Sequence, residues 1–182
     1  GDALQIIRIN HGLRSGLQIE PLQLLIAAHL QARDWTAADT QIDYFQWLNA
    51  SNYRRDFSAY LSGSEALSDL LLSASADPGN PQAVRYLVAA KNLNWRTISA
   101  IEARQGKDSR DLIPWLYRVV HNHYQQSALI RRRGLTSYNF HSDADALVSG
   151  FRLSKNESLR MSYNIGQELL QRIEGLMPAD AE

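Results

Sequence analysis

Hydrophobic residues recur along this chain at three- and four-residue intervals almost throughout. That spacing marks amphipathic helices, whose apolar side chains line one stripe of a 3.6-residue turn. Period-two alternation over four or more residues is missing and β-branched residues are sparse, so strands are not expected. Glu20-Pro21 puts proline at a first helical position before Leu22, Leu25, Ile26 and His29. Thr36 with Asp39 makes a capping box ahead of Ile42, Phe45 and Leu48. Ser62-Gly63-Ser64-Glu65 has the full capping-box spacing before Leu67, Leu70 and Leu71. Asp77-Pro78-Gly79-Asn80-Pro81 reads as a turn, a cap and a helix start through Val84, Leu87 and Val88. Asn94 caps a short helix through Ile98 and Ile101 to Gly106.

The longest helix is read from Ile113 to Gly134, opening at Pro114 and closing on Arg131-Arg132-Arg133. Ile113, Leu116, Tyr117, Val120, Tyr124 and Ala128 form its apolar stripe, with Arg118, Asn122, Gln125 and Arg132 opposite. Gly134 suits the left-handed position that ends a helix. Asp143 or Asp145 caps a short helix through Leu147 and Phe151. Asn156 starts the last, through Leu159, Tyr163, Leu169 and Ile173.

The fold class expected is therefore all-α, a compact multi-helix array of nine or ten helices. Helical hairpins packed around the long 113–133 helix are one arrangement this allows. Arg33-Asp34-Trp35-Thr36 and Leu93-Asn94-Trp95-Arg96 repeat one texture at two helix starts. Residues 1–182 read as a single all-helical domain, with the turn at 77–80 as the place for a subdomain break.

Length and composition narrow the class. A chain of 182 residues removes roughly 70% of its unfolded surface from water on folding, enough for a real core. No apolar run approaches 18 residues, so no membrane span is expected. Cysteine is absent, which excludes disulfides, thiolate metal sites and a cysteine nucleophile, and points towards the cytoplasm. The chain begins Gly1-Asp2 and reads as trimmed, so a removed signal peptide would leave no trace.

Charge is balanced in total but not in distribution. Residues 91–135 carry nine basic and three acidic side chains, a net of +6, while residues 1–90 and 136–182 each carry −3. The neutral sum argues against a general nucleic-acid coat protein. The basic middle still suits an acidic partner or a phosphate backbone. Sixteen of the nineteen basic residues are arginine, the side chain matched to planar carboxylate or phosphate contacts.

Catalytic patterns are missing. There is no Gly-x-Ser-x-Gly, phosphate loop or dinucleotide fingerprint. His121 and His123 stand two apart and point about 200° from each other on a helix, so they cannot share one metal. His11, His29 and His141 lack an i,i+4 partner. His141, Asp143 and Asp145 place one imidazole and two carboxylates within five residues, which suits either a polar loop before a helix or a small hydrolase or ligand-carrier site. Neither metal nor cofactor is expected.

Two aromatic–arginine regions remain. Tyr44, Phe45, Trp47, Tyr53, Phe57 and Tyr60 gather beside Arg54 and Arg55. Arg131, Arg132 and Arg133 stabilise a helix C-terminus by their charge, which accounts for one or two arginines better than for three.

Trp115-Leu116-Tyr117-Arg118-Val119-Val120-His121-Asn122, followed by Ile130-Arg131-Arg132-Arg133, resembles the promoter-facing region 2 helix of extracytoplasmic-function sigma factors. Ser154 to Met177 resembles the lead-in to that family's region 4, so the similarity covers residues 108–178. The polymerase-docking helix and region 4 itself have no counterpart in the sequence. The resemblance therefore implies a bacterial, sigma-like, DNA-facing helix rather than a working sigma factor.

The function expected is that of a non-enzymatic bacterial interaction or regulatory protein that binds another protein through an aromatic–arginine surface. Its candidate residues are Arg118, Arg131, Arg132 and Arg133, with Tyr53, Arg54 and Arg55 as a second patch. The alternative is nucleic-acid binding through the basic end of helix 113–133.

Overall fold

The structure is a computed structural model, and it describes residues 2–135, 140 and 154–177. Among these there are seven α-helices and no strand: α1 (Asp2–His11), α2 (Ile19–Gln31), α3 (Trp35–Arg55), α4 (Phe57–Ala76), α5 (Ala83–Gln105), α6 (Leu112–Arg133) and α7 (Lys155–Leu176). A short 3-10 turn, Gly16–Gln18, precedes α2. The expected helix over 143–151 lies outside the described residues.

Two helix starts read from the sequence are interior positions instead. Asn94 sits inside α5, which runs unbroken for 23 residues. It is buried there, and its amide donates to Asn122 Oδ1 on α6 at 2.8 Å. Ser62 to Glu65 lies inside α4. The cap that starts α4 is Asp56, whose carboxylate accepts from Ala59 N at 2.9 Å. In both cases a local capping signal yields to tertiary packing, the stronger determinant of helix extent.

The chain divides into two units, Gly1–Ala74 and Ser75–Glu182. In the first, α2 packs on α3 through a tight turn. Arg33 is left-handed (φ 57°), with Arg33 N bonded to Leu30 O and Asp34 N to His29 O. That is the pair of bonds that closes a helix in a Schellman motif. Asp34 then caps α3 by accepting from Ala37 N, the role the sequence assigned to Thr36. Leu22, Ile26, Ile42, Phe45, Leu48, Leu67 and Leu71 make the core. Gln18 is fully buried and ties the N-terminal turn together, accepting from Arg8 Nε at 3.0 Å and Tyr44 Oη at 2.8 Å.

In the second unit α6 packs against both α5 and α7. The core comprises Tyr86, Leu87, Ile98 and Ile101 of α5, Trp115, Leu116, Val119 and Ile130 of α6, and Leu169 and Ile173 of α7. Gly134 ends α6 at φ 65° with its N–H on Ile130 O, as its position in the sequence suggests.

The buried line of α6 differs from the stripe read from hydropathy. Leu112, Trp115, Leu116, Val119, Asn122, His123, Gln126 and Ile130 are buried, whereas Tyr117 and Tyr124 are exposed. The hydropathy pattern puts Asn122 on the polar face, but its partner Asn94 draws it inwards. Three polar residues on the buried line rotate the true face away from the most apolar one.

Candidate partner-binding groove

The antiparallel course of α6 and α7 follows from their ends. A short connection, residues 106–111, folds α6 back along α5. Arg172, near the end of α7, bonds Glu102 near the end of α5 at 2.5 Å. The C-terminal end of α7 therefore lies by the N-terminal end of α6. At its other end, α7 begins with a reciprocal capping box. Ser154 Oγ accepts from Glu157 N, and Ser154 N donates to Glu157 Oε2. Those bonds hold the Glu157 carboxyl below its ordinary pKa.

Small residues let the two helices approach. Ser158 and Ser162 are buried on α7, and Gly166 falls one further turn along the same line. Beside this line the helices leave a groove of about 580 Å³. Val120, Ala128, Leu159 and Leu170 form apolar walls, with Tyr124 and Tyr163 at the rim and Arg131 and Arg132 at one end. The two tyrosines are 71% and 66% exposed. His121 stacks on Tyr124 at 6.4 Å between ring centroids. A Cβ at position 166 would meet nothing within 4 Å, so Gly166 leaves open space inside the groove.

The floor of the groove holds His123, 9% exposed, with no hydrogen-bond partner for Nδ1 among the described residues. Burial, helped by the nearby Lys91 ammonium, pushes its imidazole down to about 4, so it is neutral at physiological pH. The groove thus has a neutral half around His123 and Gly166 and a cationic half at Arg131 and Arg132. Among the described residues no acidic side chain lines it.

The seven residues singled out by sequence are dispersed. Only Arg131 and Arg132 reach this groove. Arg133 turns away and donates to the carbonyls of Pro78 and Asn80 at 3.2 and 3.4 Å, a structural clasp on the turn before α5. Arg118 lies over the Trp115 ring at 5.6 Å. In the first unit, Tyr53 packs edge-on to Phe57 and Tyr60, while Arg54 and Arg55 are exposed at the end of α3. Arg8 lies over the Tyr44 ring at 4.4 Å and Arg14 over the Trp47 ring at 5.7 Å, contacts set by tertiary folding that no local spacing announces.

Tyr163 and Gly166 were not recognisable as groove residues from the sequence. The small-residue line Ser158, Ser162, Gly166 at four-residue intervals was the available signal. Among the described residues no group of three His, Asp or Glu side chains gathers to hold a metal ion. His141, Asp143 and Asp145 lie outside the described residues. No helix among the described residues is long and apolar enough to cross a membrane.

No family model, curated protein or solved structure matches this chain.

Proposed function

We propose that this protein is a non-enzymatic binding module and that the α6–α7 groove takes a segment of another protein. The observation that carries the reading is the groove itself: apolar walls, two exposed tyrosines, two arginines and, among the described residues, no acid. Its volume falls within the range of about 300–1,000 Å³ common to ligand sites. Tyrosine and arginine are the side chains that dominate protein interfaces, since each combines large contact area with polar reach.

A protein partner fits better than nucleic acid. With Arg133 committed to the 78–80 turn, two arginines remain at the groove, too few for a phosphate track. Residues 75–182 carry 14 basic and 11 acidic side chains, a net of only +3.

The test is a random-peptide display selection against the protein, repeated with Gly166→Phe, which fills the groove from a position with free space around it. The reading expects enriched peptides that bind the native protein and are lost with Gly166→Phe while its circular dichroism stays native. Peptides that bind both proteins equally would sink it. So would a short DNA duplex that binds at 200 mM salt where peptides do not.

A further inference from the structure

Resting on that reading, we infer that the occupant of the groove is an amphipathic α-helix of about three turns, with apolar residues against the Gly166 half and carboxylates at the Arg131–Arg132 end. Length comes first. The lining of α6 runs from Val120 to Arg132, and twelve residues of helix rise about 18 Å. A helix of three turns spans the same distance.

Backbone chemistry selects the conformation. Both walls are helices, whose N–H and C=O groups are already paired along their own axes. An extended segment laid against them would bury its own backbone donors and acceptors with nothing to pair, a cost folded segments avoid. A helix arrives with those groups internally satisfied and offers only side chains, the helix-in-groove mode of recognition.

The protein's own packing points the same way. α6 is covered by α5 on one side and α7 on the other. α7 buries only Ser158, Ser162, Leu169 and Ile173, and it leaves Met161 and Tyr163 exposed. One more helix along the α6–α7 seam would continue the pairing already present between these helices.

Charge fixes the chemistry of the occupant. At the Arg131–Arg132 end two guanidiniums face solvent with no acid among the described lining residues, so carboxylates are complementary there. At the other end the floor is the neutral, buried His123 beside Val120, Leu170 and the space over Gly166. A charged side chain pushed into that half would lose hydration without gaining a counter-charge, so apolar or uncharged residues belong there.

Two displayed libraries test this. Both are 14-residue peptides with random side chains at every third and fourth position. One is built on a helix-forming Ala/Gln frame, and the other carries two central prolines, which forbid a continuous helix. Selection is run on the native protein, Gly166→Phe and Arg131→Glu/Arg132→Glu. Enrichment from the helical library alone is expected, with aspartate or glutamate concentrated near one end. Binding should be lost with Gly166→Phe and weakened about ten-fold or more by the double charge reversal, a difference typical of paired interface charges. Enrichment from the proline library, or of basic sequences, would overturn the helical and acidic occupant while leaving a peptide-binding groove standing. Enrichment unaffected by Gly166→Phe, or none from either library, would overturn the groove reading itself. The two arginines are exposed, so their reversal leaves the fold intact even if Gly166→Phe fails to fold.

Discussion

Gly63→Ala should destabilise the protein although it replaces a mid-helix glycine by the best helix former. Gly63 lies inside α4, where alanine alone would gain about 1 kcal/mol of helix propensity. A methyl group there, however, would stand 2.8 Å from Asn49 Cγ and closer still to its Oδ1. Ordinary contact between carbon atoms is about 3.5–4.0 Å, so Asn49 must retreat by roughly 1 Å. It has no slack. Asn49 is buried, and its Nδ2 donates to Tyr60 O at 3.1 Å and Ser64 Oγ at 2.9 Å. Retreat breaks both bonds, at about 0.5–1.5 kcal/mol each, and adds about 1–3 kcal/mol of overpacking. The net expectation is a loss of about 1–5 kcal/mol in urea unfolding. The control is the same substitution in an Asn49→Ala background, where the obstacle is gone and alanine should stabilise. A Gly63→Ala protein as stable as the native one, or an equal effect in both backgrounds, would refute the close-approach argument.

Other expectations follow from the second unit. The His123 imidazole falls from 6.5 in the unfolded chain to about 4 when folded, so its contribution is complete above pH 6.5 and is lost as pH falls to about 4. At about 1.4 kcal/mol per unit this comes to roughly 3 kcal/mol, and His123→Gln should flatten the stability profile over that window. A mutant as acid-sensitive as the native protein would contradict the assignment. Asn122→Leu alone should cost about 2 kcal/mol by stranding Asn94, whereas Asn94→Leu/Asn122→Leu should recover most of it; additive losses would show that the pair is not coupled. Arg172→Ala should speed amide exchange at the end of α7 for a loss of about 1 kcal/mol, since the Glu102 pair is only partly shielded from water. Unchanged exchange there would mean that other contacts hold the helix.

The helical class was legible because helical periodicity repeats through the chain and no segment competes with it. Helix ends were legible where the signal is a backbone requirement, as at Gly134, which adopts the left-handed conformation expected of it. They failed where a polar residue serves tertiary packing. Asn94 and Ser64 look like caps or cap neighbours, yet each is buried in a hydrogen bond to another helix. The face of α6 was misjudged for the same reason, because hydropathy marks Asn122, His123 and Gln126 as outward and burial places them inward. Of the site, the cationic end at Arg131 and Arg132 stood out as a charge cluster. Its other wall did not, since Tyr163, Gly166 and Leu170 acquire meaning only when α7 lies against α6.

The most direct measurement is a chemical-shift titration of the ¹⁵N-labelled protein with the best peptide from the helical library. Binding in the groove predicts shifts concentrated at Tyr124, Ser127, Arg131, Tyr163, Gly166 and Gln167, with the Arg133 clasp on the 78–80 turn unmoved. Shifts centred instead on Tyr53, Arg54 and Arg55, or on the Arg8–Tyr44 and Arg14–Trp47 pairs, would contradict the account and move the interaction surface to the first unit.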